Sequence, residues 1–158
     1  MSRDIFVARM GRVEDRLRDL GIELPPPKQH VANYLGCKLS GELLFVSARV
    51  SELRGEVGTD IDLPEAYEAA RSTLIDILSI IKNEFGDLDR ISSVDKMIGF
   101  VRSAQSFTEQ PMVVDGASDL LVEIWGDSGR HARTATGVAQ LPFGAAVQLE
   151  LILTVDAF

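Results

Sequence analysis

The sequence predicts an α+β protein in which two long helices cover one face of a mostly antiparallel sheet. Three observations carry that expectation. Ala66, Ala70, Leu74, Ile77, Leu78 and Ile81 recur at helical spacing, and Val113, Ala117, Leu120, Leu121 and Ile124 do so again. Val147, Leu149, Leu151 and Leu153 alternate with Gln148, Glu150 and Thr154, the period of a strand with one apolar face. Glycine-punctuated short apolar runs complete an order of ββ-α-β-α-ββ behind an N-terminal helix. Helices on one face leave the other bare, so self-association is expected.

Each element has its own signals. Asp4 to Leu20 reads as a helix, with Val13, Leu17 and Leu20 on one side and Gly21 as its stop. Five arginines occur before residue 20, interspersed with four acids, the mark of a solvated face and not of a membrane-binding one. Pro25-Pro26-Pro27 forces an extended connector. Val31–Leu35 and Leu43–Ser47 read as a hairpin across Gly36 and Ser40-Gly41, and the polar stretch from Val50 to Asp60 as a mobile loop. Asp62 and Glu65 have capping-box spacing and open a helix that Gly86 ends. Ile91 to Val101 reads as a strand whose Val94–Met97 portion alternates imperfectly. Thr108 is the expected cap of the second long helix, with Gly126 at its end. Pro142-Phe143-Gly144 predicts a tight turn pairing the last two strands as a hairpin.

Length and composition bound the class. A chain of 158 residues is expected to be one domain, 1–158, with 1–24 as a helical extension and 25–30 as a proline-rich connector. A formal charge of −8 argues against nucleic acid as a bulk partner, since phosphate backbones demand clustered Lys and Arg. No membrane partner is expected, because no run approaches 18 apolar residues and the opening lacks a signal core. The lone Cys37 excludes an intrachain disulfide. A cytoplasmic protein is the expectation.

Most catalytic signatures are missing. His30 and His131 lie far apart without metal-ligand spacing, so no metal is expected, and both read as surface or boundary histidines. Asp60 and Asp62 are better explained by helix capping than by a divalent ion. Neither a Walker loop nor G-x-G-x-x-G is present, and no cofactor is expected. Ser47 lacks a G-x-S-x-G context and reads as a strand-end hydroxyl satisfying nearby backbone. Arg133 is the strongest candidate. It shares a strand face with Ala135, Gly137 and Ala139, whose small side chains can leave space before a guanidinium. That fork suits a small carboxylate. The residues alone leave two roles open for it, carboxylate binding or a structural ion pair.

Eight motifs in order add to this reading: Leu-Gly-Ile-Glu-Leu-Pro (20–25), Val-Ala-Asn-Tyr (31–34), Leu-Leu-Phe-Val-Ser (43–47), Tyr-Glu-Ala-Ala-Arg (67–71), Gly-Asp-Leu-Asp-Arg (86–90), Gly-Phe-Val-Arg-Ser (99–103), Gly-Ala-Ser-Asp-Leu-Leu-Val-Glu (116–123) and Gly-Arg-His-Ala-Arg-Thr (129–134). Together they resemble the reactive-intermediate deaminase family, also called the YjgF or L-PSP endoribonuclease family, in a branch with an N-terminal helix. The resemblance implies a chorismate-mutase-like fold and a homotrimer whose sheets form a central barrel. It also implies clefts between subunits where Arg133 binds the carboxylate of 2-imino or enamine acids, hydrolysed to 2-keto acid and ammonia. Tyr34, Ser47, Gln105 and Phe107 would line that cleft.

The departures from the family pattern are specific. Ala48 stands where the family has a glycine against the ligand, Arg49 replaces a neutral amide, and Ala135 replaces a frequent cysteine. Gln148 takes the place of the carboxylate credited with positioning water, and a neutral amide cannot accept a proton near pH 7. Glu150 follows on the same strand face, about 7 Å away. Three functions follow in order: a deaminase-like hydrolase using Gln148 and Glu150 to order water, a non-catalytic trimer sensing a small carboxylate, and distantly a ribonuclease.

Overall fold

The longest element starts from a reciprocal cap. Asp62 accepts from the Glu65 N–H at 2.9 Å, and the Glu65 carboxylate accepts from the Asp62 N–H at 3.0 Å. In this computed structural model, which describes residues 12–157, that cap opens α2 (Leu63–Phe85), and all six apolar residues of the expected stripe are buried. Gly86 ends it at φ 106°. The second long helix, α3 (Gln110–Trp125), buries Val113, Ala117, Leu120, Leu121 and Ile124 as expected. Its cap position is Glu109 and not Thr108, without a side-chain cap, while Pro111 supplies the φ suited to a first turn. The two helices cross closely because Gly116 has no side chain: a Cβ there would lie 2.0 Å from the Tyr67 carbonyl oxygen.

The five strands are β1 (Cys37–Ser40), β2 (Leu43–Val50), β3 (Ile91–Arg102), β4 (Ala132–Val138) and β5 (Val147–Val155), ordered β1-β2-β5-β3-β4. Three of the four pairings are antiparallel and β3–β4 is parallel. The expected hairpin of the last two strands does not form, because β3 lies between them. Residues 139–146 carry the chain over the end of β3. The Pro142–Gly144 turn redirects it with Phe143 at φ 60° and Gly144 at φ 70°, and Ala145 bridges Arg54. The turn chemistry was legible, but which strand the turn joins depends on a partner fifty residues upstream. The imperfect alternation of Val94–Met97 has a cause: β3 slips register against β5 between Ile91 and Ser93 and again between Val94 and Lys96.

Two other expectations shift. The first strand is Cys37–Ser40, not Val31–Leu35; residues 31–35 are irregular, and Val31 is 95% exposed. Residues 51–61 are irregular but pinned: the Ser51, Gly55 and Val57 N–H groups donate to Val147, Gly144 and Arg102 carbonyls, and Val57 is fully buried. The N-terminal helix is seen as α1 (Arg12–Asp19), with its earlier expected residues outside the described range. Val13 and Leu17 are buried, the Asp89 carboxylate accepts from the Arg12 and Val13 N–H groups at its start, and Gly21 stops it at φ 71°.

One sheet face carries the core. Leu44, Val46, Met97, Val101, Leu149, Leu151 and Leu153 pack toward the helices. No described element covers the other face, where Leu43 and Phe45 are 40% and 43% exposed. Among the described residues, no helix is long and apolar enough to cross a membrane.

Candidate functional site

Arg133 sits on β4, an edge strand, paired with Met97 of β3. Met97 is fully buried beneath the helices, so Arg133, Ala135 and Gly137 face α3. That placement sets side chains of α3 before one nitrogen of the guanidinium. Arg133 Nη1 donates to Asp115 Oδ1 at 2.7 Å and to Ser118 Oγ at 3.1 Å. At Gly137 a Cβ would meet Gln110 Nε2 at 2.7 Å and Ser103 Oγ at 2.8 Å. The row of small residues therefore admits a helix. Asp115 and Ser118, three residues apart, present one flank of α3 to the strand. Both donors engaged by them are on Nη1; the Nε and Nη2 donors make no hydrogen bond among the described residues, and the side chain is 24% exposed.

The network continues past the arginine. Ser118 Oγ lies 2.9 Å from His131 Nε2, and His131 Nδ1 lies 2.7 Å from the Gly129 carbonyl oxygen. Gly129 is held against α3, where a Cβ would come within 2.2 Å of the Leu121 carbonyl oxygen. Asp115 and Ser118 escaped the sequence reading, and His131, read there as a surface or boundary histidine, is instead part-buried and bonded, because no motif links a helix flank to a strand mouth 13 residues on.

The remaining expected residues do not gather around Arg133 within one protomer. Gln105 and Phe107 line a cavity of about 550 Å³ with Glu56, Ser103, Gln110 and Gly137, at the far end of β4. Gln148 and Glu150 pair with Phe100 and Ile98 on the uncovered sheet face, the side opposite Arg133. Tyr34 lies in the irregular segment before β1, and Ser47 and Ala48 lie on β2, three strand spacings or about 14 Å from β4. There Ser47 Oγ donates to the Leu35 carbonyl at 2.5 Å, the backbone-satisfying role expected of it. Tyr34 is 44% exposed with its ring 5.1 Å from His30. Ala48 falls at the register shift between Val46 and Arg49, and Arg49 Nη2 donates to the Lys28 carbonyl at 3.3 Å. Ala135 pairs with Gly99 and packs on the core.

Titration behaviour follows burial and pairing. Burial, assisted by Glu84, pushes the Cys37 thiol up to about 12, which disfavours the thiolate. The Asp119 carboxylate, accepting from Tyr67 at 2.7 Å, holds that phenol at about 12. Among the described residues, no cluster of three or more His, Cys, Asp or Glu could hold a metal ion.

Two helices laid across one face of a five-stranded mixed sheet, behind a short N-terminal helix, make this an α+β protein of chorismate-mutase-like fold. The model of the family described as "YjgF/chorismate_mutase-like, putative endoribonuclease" matches residues 14–153, and the chain belongs to that family. It is 40% identical over 157 residues to Protein TCP17 of Trypanosoma cruzi, covering 95% of this chain and 98% of that protein. The crystal structure of Atu1372 from Agrobacterium tumefaciens, a protein of unknown function, is 38% identical with a TM-score of 0.88, covering 99% of this chain and 100% of that one. A Shewanella oneidensis crystal structure is 31% identical with a TM-score of 0.86, covering 90% of this chain and 99% of that one.

Proposed function

We propose that this protein hydrolyses small 2-imino or enamine acids, with Arg133 gripping the carboxylate at a cleft that a neighbouring copy in a homotrimer completes. The observation that carries this reading is the one-sided anchoring of the guanidinium: Asp115 and Ser118 both engage Nη1, leaving Nε and Nη2 for a ligand. The scatter of Tyr34, Ser47 and Gln148 within one protomer agrees with a cleft built from two copies, since β4 is a sheet edge. So does the uncovered sheet face.

The chemistry asks little of a base. Water adds to the C=N carbon of an iminium, the tetrahedral adduct passes a proton to nitrogen, and ammonia leaves a 2-keto acid. That carbon is already electrophilic, so orientation and charge stabilisation supply much of the rate. Generating 2-iminobutanoate in situ and following its decay with wild type and Arg133→Ala tests the reading. Wild-type decay above buffer that is lost in the variant is expected; wild-type decay equal to buffer overturns it.

One observation favours a second reading, a carboxylate-binding protein without turnover. Gln148 is a neutral amide that cannot take water's proton. Thermal stabilisation by 2-keto acids without any acceleration of decay would select that reading, since a ligand binding only the native state raises its stability.

A further inference from the structure

We propose that Ser118 and His131 form the proton-transfer pair of the site, with His131 as base and Ser118 as relay beside the ligand held by Arg133. The inference rests on the carboxylate-binding and hydrolysis reading above and supplies the base that Gln148 cannot be. Its foundation is a hydrogen-bond chain whose polarity is determined. The Gly129 carbonyl can only accept, so Nδ1 of a neutral His131 carries the proton, at 2.7 Å. Nε2 then has a lone pair, and Ser118 Oγ–H donates to it at 2.9 Å. Arg133 Nη1 donates to the same Oγ at 3.1 Å. Nucleophile or relay, base, and a backbone group orienting the base are the three parts of an activated hydroxyl.

The position of Ser118 is itself informative. A serine inside a helix ordinarily turns its hydroxyl back to the carbonyl four residues earlier, as Thr73 does to Ala69 at 2.7 Å. Ser118 reaches across to β4 instead. The imidazole is held in turn by the Gly129 carbonyl, whose place depends on the bare glycine backbone lying against Leu121.

In turnover, water hydrogen-bonded to Ser118 attacks the C=N carbon. Its proton passes to Oγ as the serine proton moves to His131 Nε2. The imidazolium returns that proton through Ser118 to the departing nitrogen. As the C–N bond breaks and the carbonyl forms, the remaining hydroxyl proton passes by the same route to His131 and is taken up by the released ammonia, which leaves as ammonium beside the 2-keto acid. The charged groups on the elements around His131 are Asp115 and Arg133, linked to it through Ser118, Asp127 and Arg130 of the preceding turn, Asp119 and Glu123 of α3, taken by Tyr67 and Arg71, and Asp95 and Lys96 of β3, bonded to Thr154 and Thr134.

The test is the pH profile of 2-iminobutanoate decay with wild type, Ser118→Ala, His131→Asn and His30→Asn, with ¹⁵N-histidine NMR of the wild-type protein. Ser118→Ala and His131→Asn are expected to lower kcat about 100-fold with little change in KM, and His131→Asn to abolish the acid limb of the profile. His30→Asn should leave both intact. Wild-type turnover that survives in Ser118→Ala and His131→Asn overturns the pair while leaving the hydrolase reading standing; absence of wild-type turnover overturns both. NMR provides a readout that needs no variant: neutral His131 must carry its proton on Nδ1, and the opposite tautomer overturns the inference.

Discussion

Replacing Asp115 by Asn should strengthen binding of a small 2-keto acid. The Asp115 carboxylate already occupies one nitrogen of the guanidinium at 2.7 Å, so an incoming carboxylate on the remaining donors meets a like charge. Two carboxylates sharing one guanidinium lie about 5 Å apart, which costs about 0.8 kcal/mol in water and about 3 kcal/mol at an effective dielectric constant of 20. The Arg133 and Asp115 side chains are 24% and 44% exposed, which places the interaction toward the watery end. We expect about 1 kcal/mol, close to a fivefold lower Kd for 2-oxobutanoate. The amide keeps the shape of the carboxylate, and losing a partly exposed ion pair lowers stability by less than about 1 kcal/mol. Calorimetric titration of both proteins at low salt reads the difference, which should shrink as ionic strength rises. Unchanged or weaker binding by the variant would refute the view that Asp115 competes with the ligand.

Three further outcomes are expected. Gly116→Ala puts a methyl 2.0 Å from the Tyr67 carbonyl oxygen, forcing α2 and α3 apart; urea denaturation should show a loss of about 3 kcal/mol or more. Asp62→Ala removes the acceptor of the Glu65 N–H and half of the capping box, and should cost about 1 kcal/mol in the same assay. Cys37, raised by burial from 9.0 to about 12, should resist thiol reagents at pH 8 until the protein unfolds. By linkage, its contribution to stability is whole below pH 9 and declines as pH rises toward 12, because the unfolded thiol ionises first.

The helices were legible because their information is local. Leu74, Ile77, Leu78 and Ile81 each lie within about one turn of the next, and the Asp62–Glu65 box closes over three residues. The strand pattern of 147–155 was equally plain, down to which residues are buried. Pairing was not. The Pro142–Gly144 turn suited a hairpin, yet β3 intervenes, and that choice belongs to contacts between residues some fifty positions apart. The same limit applied to the site. Arg133 stood out as a residue, and its two possible roles could not be separated from composition.

Alternation along β4 placed Arg133, Ala135 and Gly137 on one face, which is a property of backbone geometry and holds wherever the strand lies. What that face meets is a matter of packing. The chain brings α3 against it, so small side chains that could have opened a pocket instead seat a helix, and the guanidinium finds Asp115 and Ser118. His131, unremarkable in its own stretch of chain, gains a hydroxyl partner through the same approach. Periodicity is written in neighbours along the backbone, whereas a site is assembled from groups that only folding brings within 3 Å of one another.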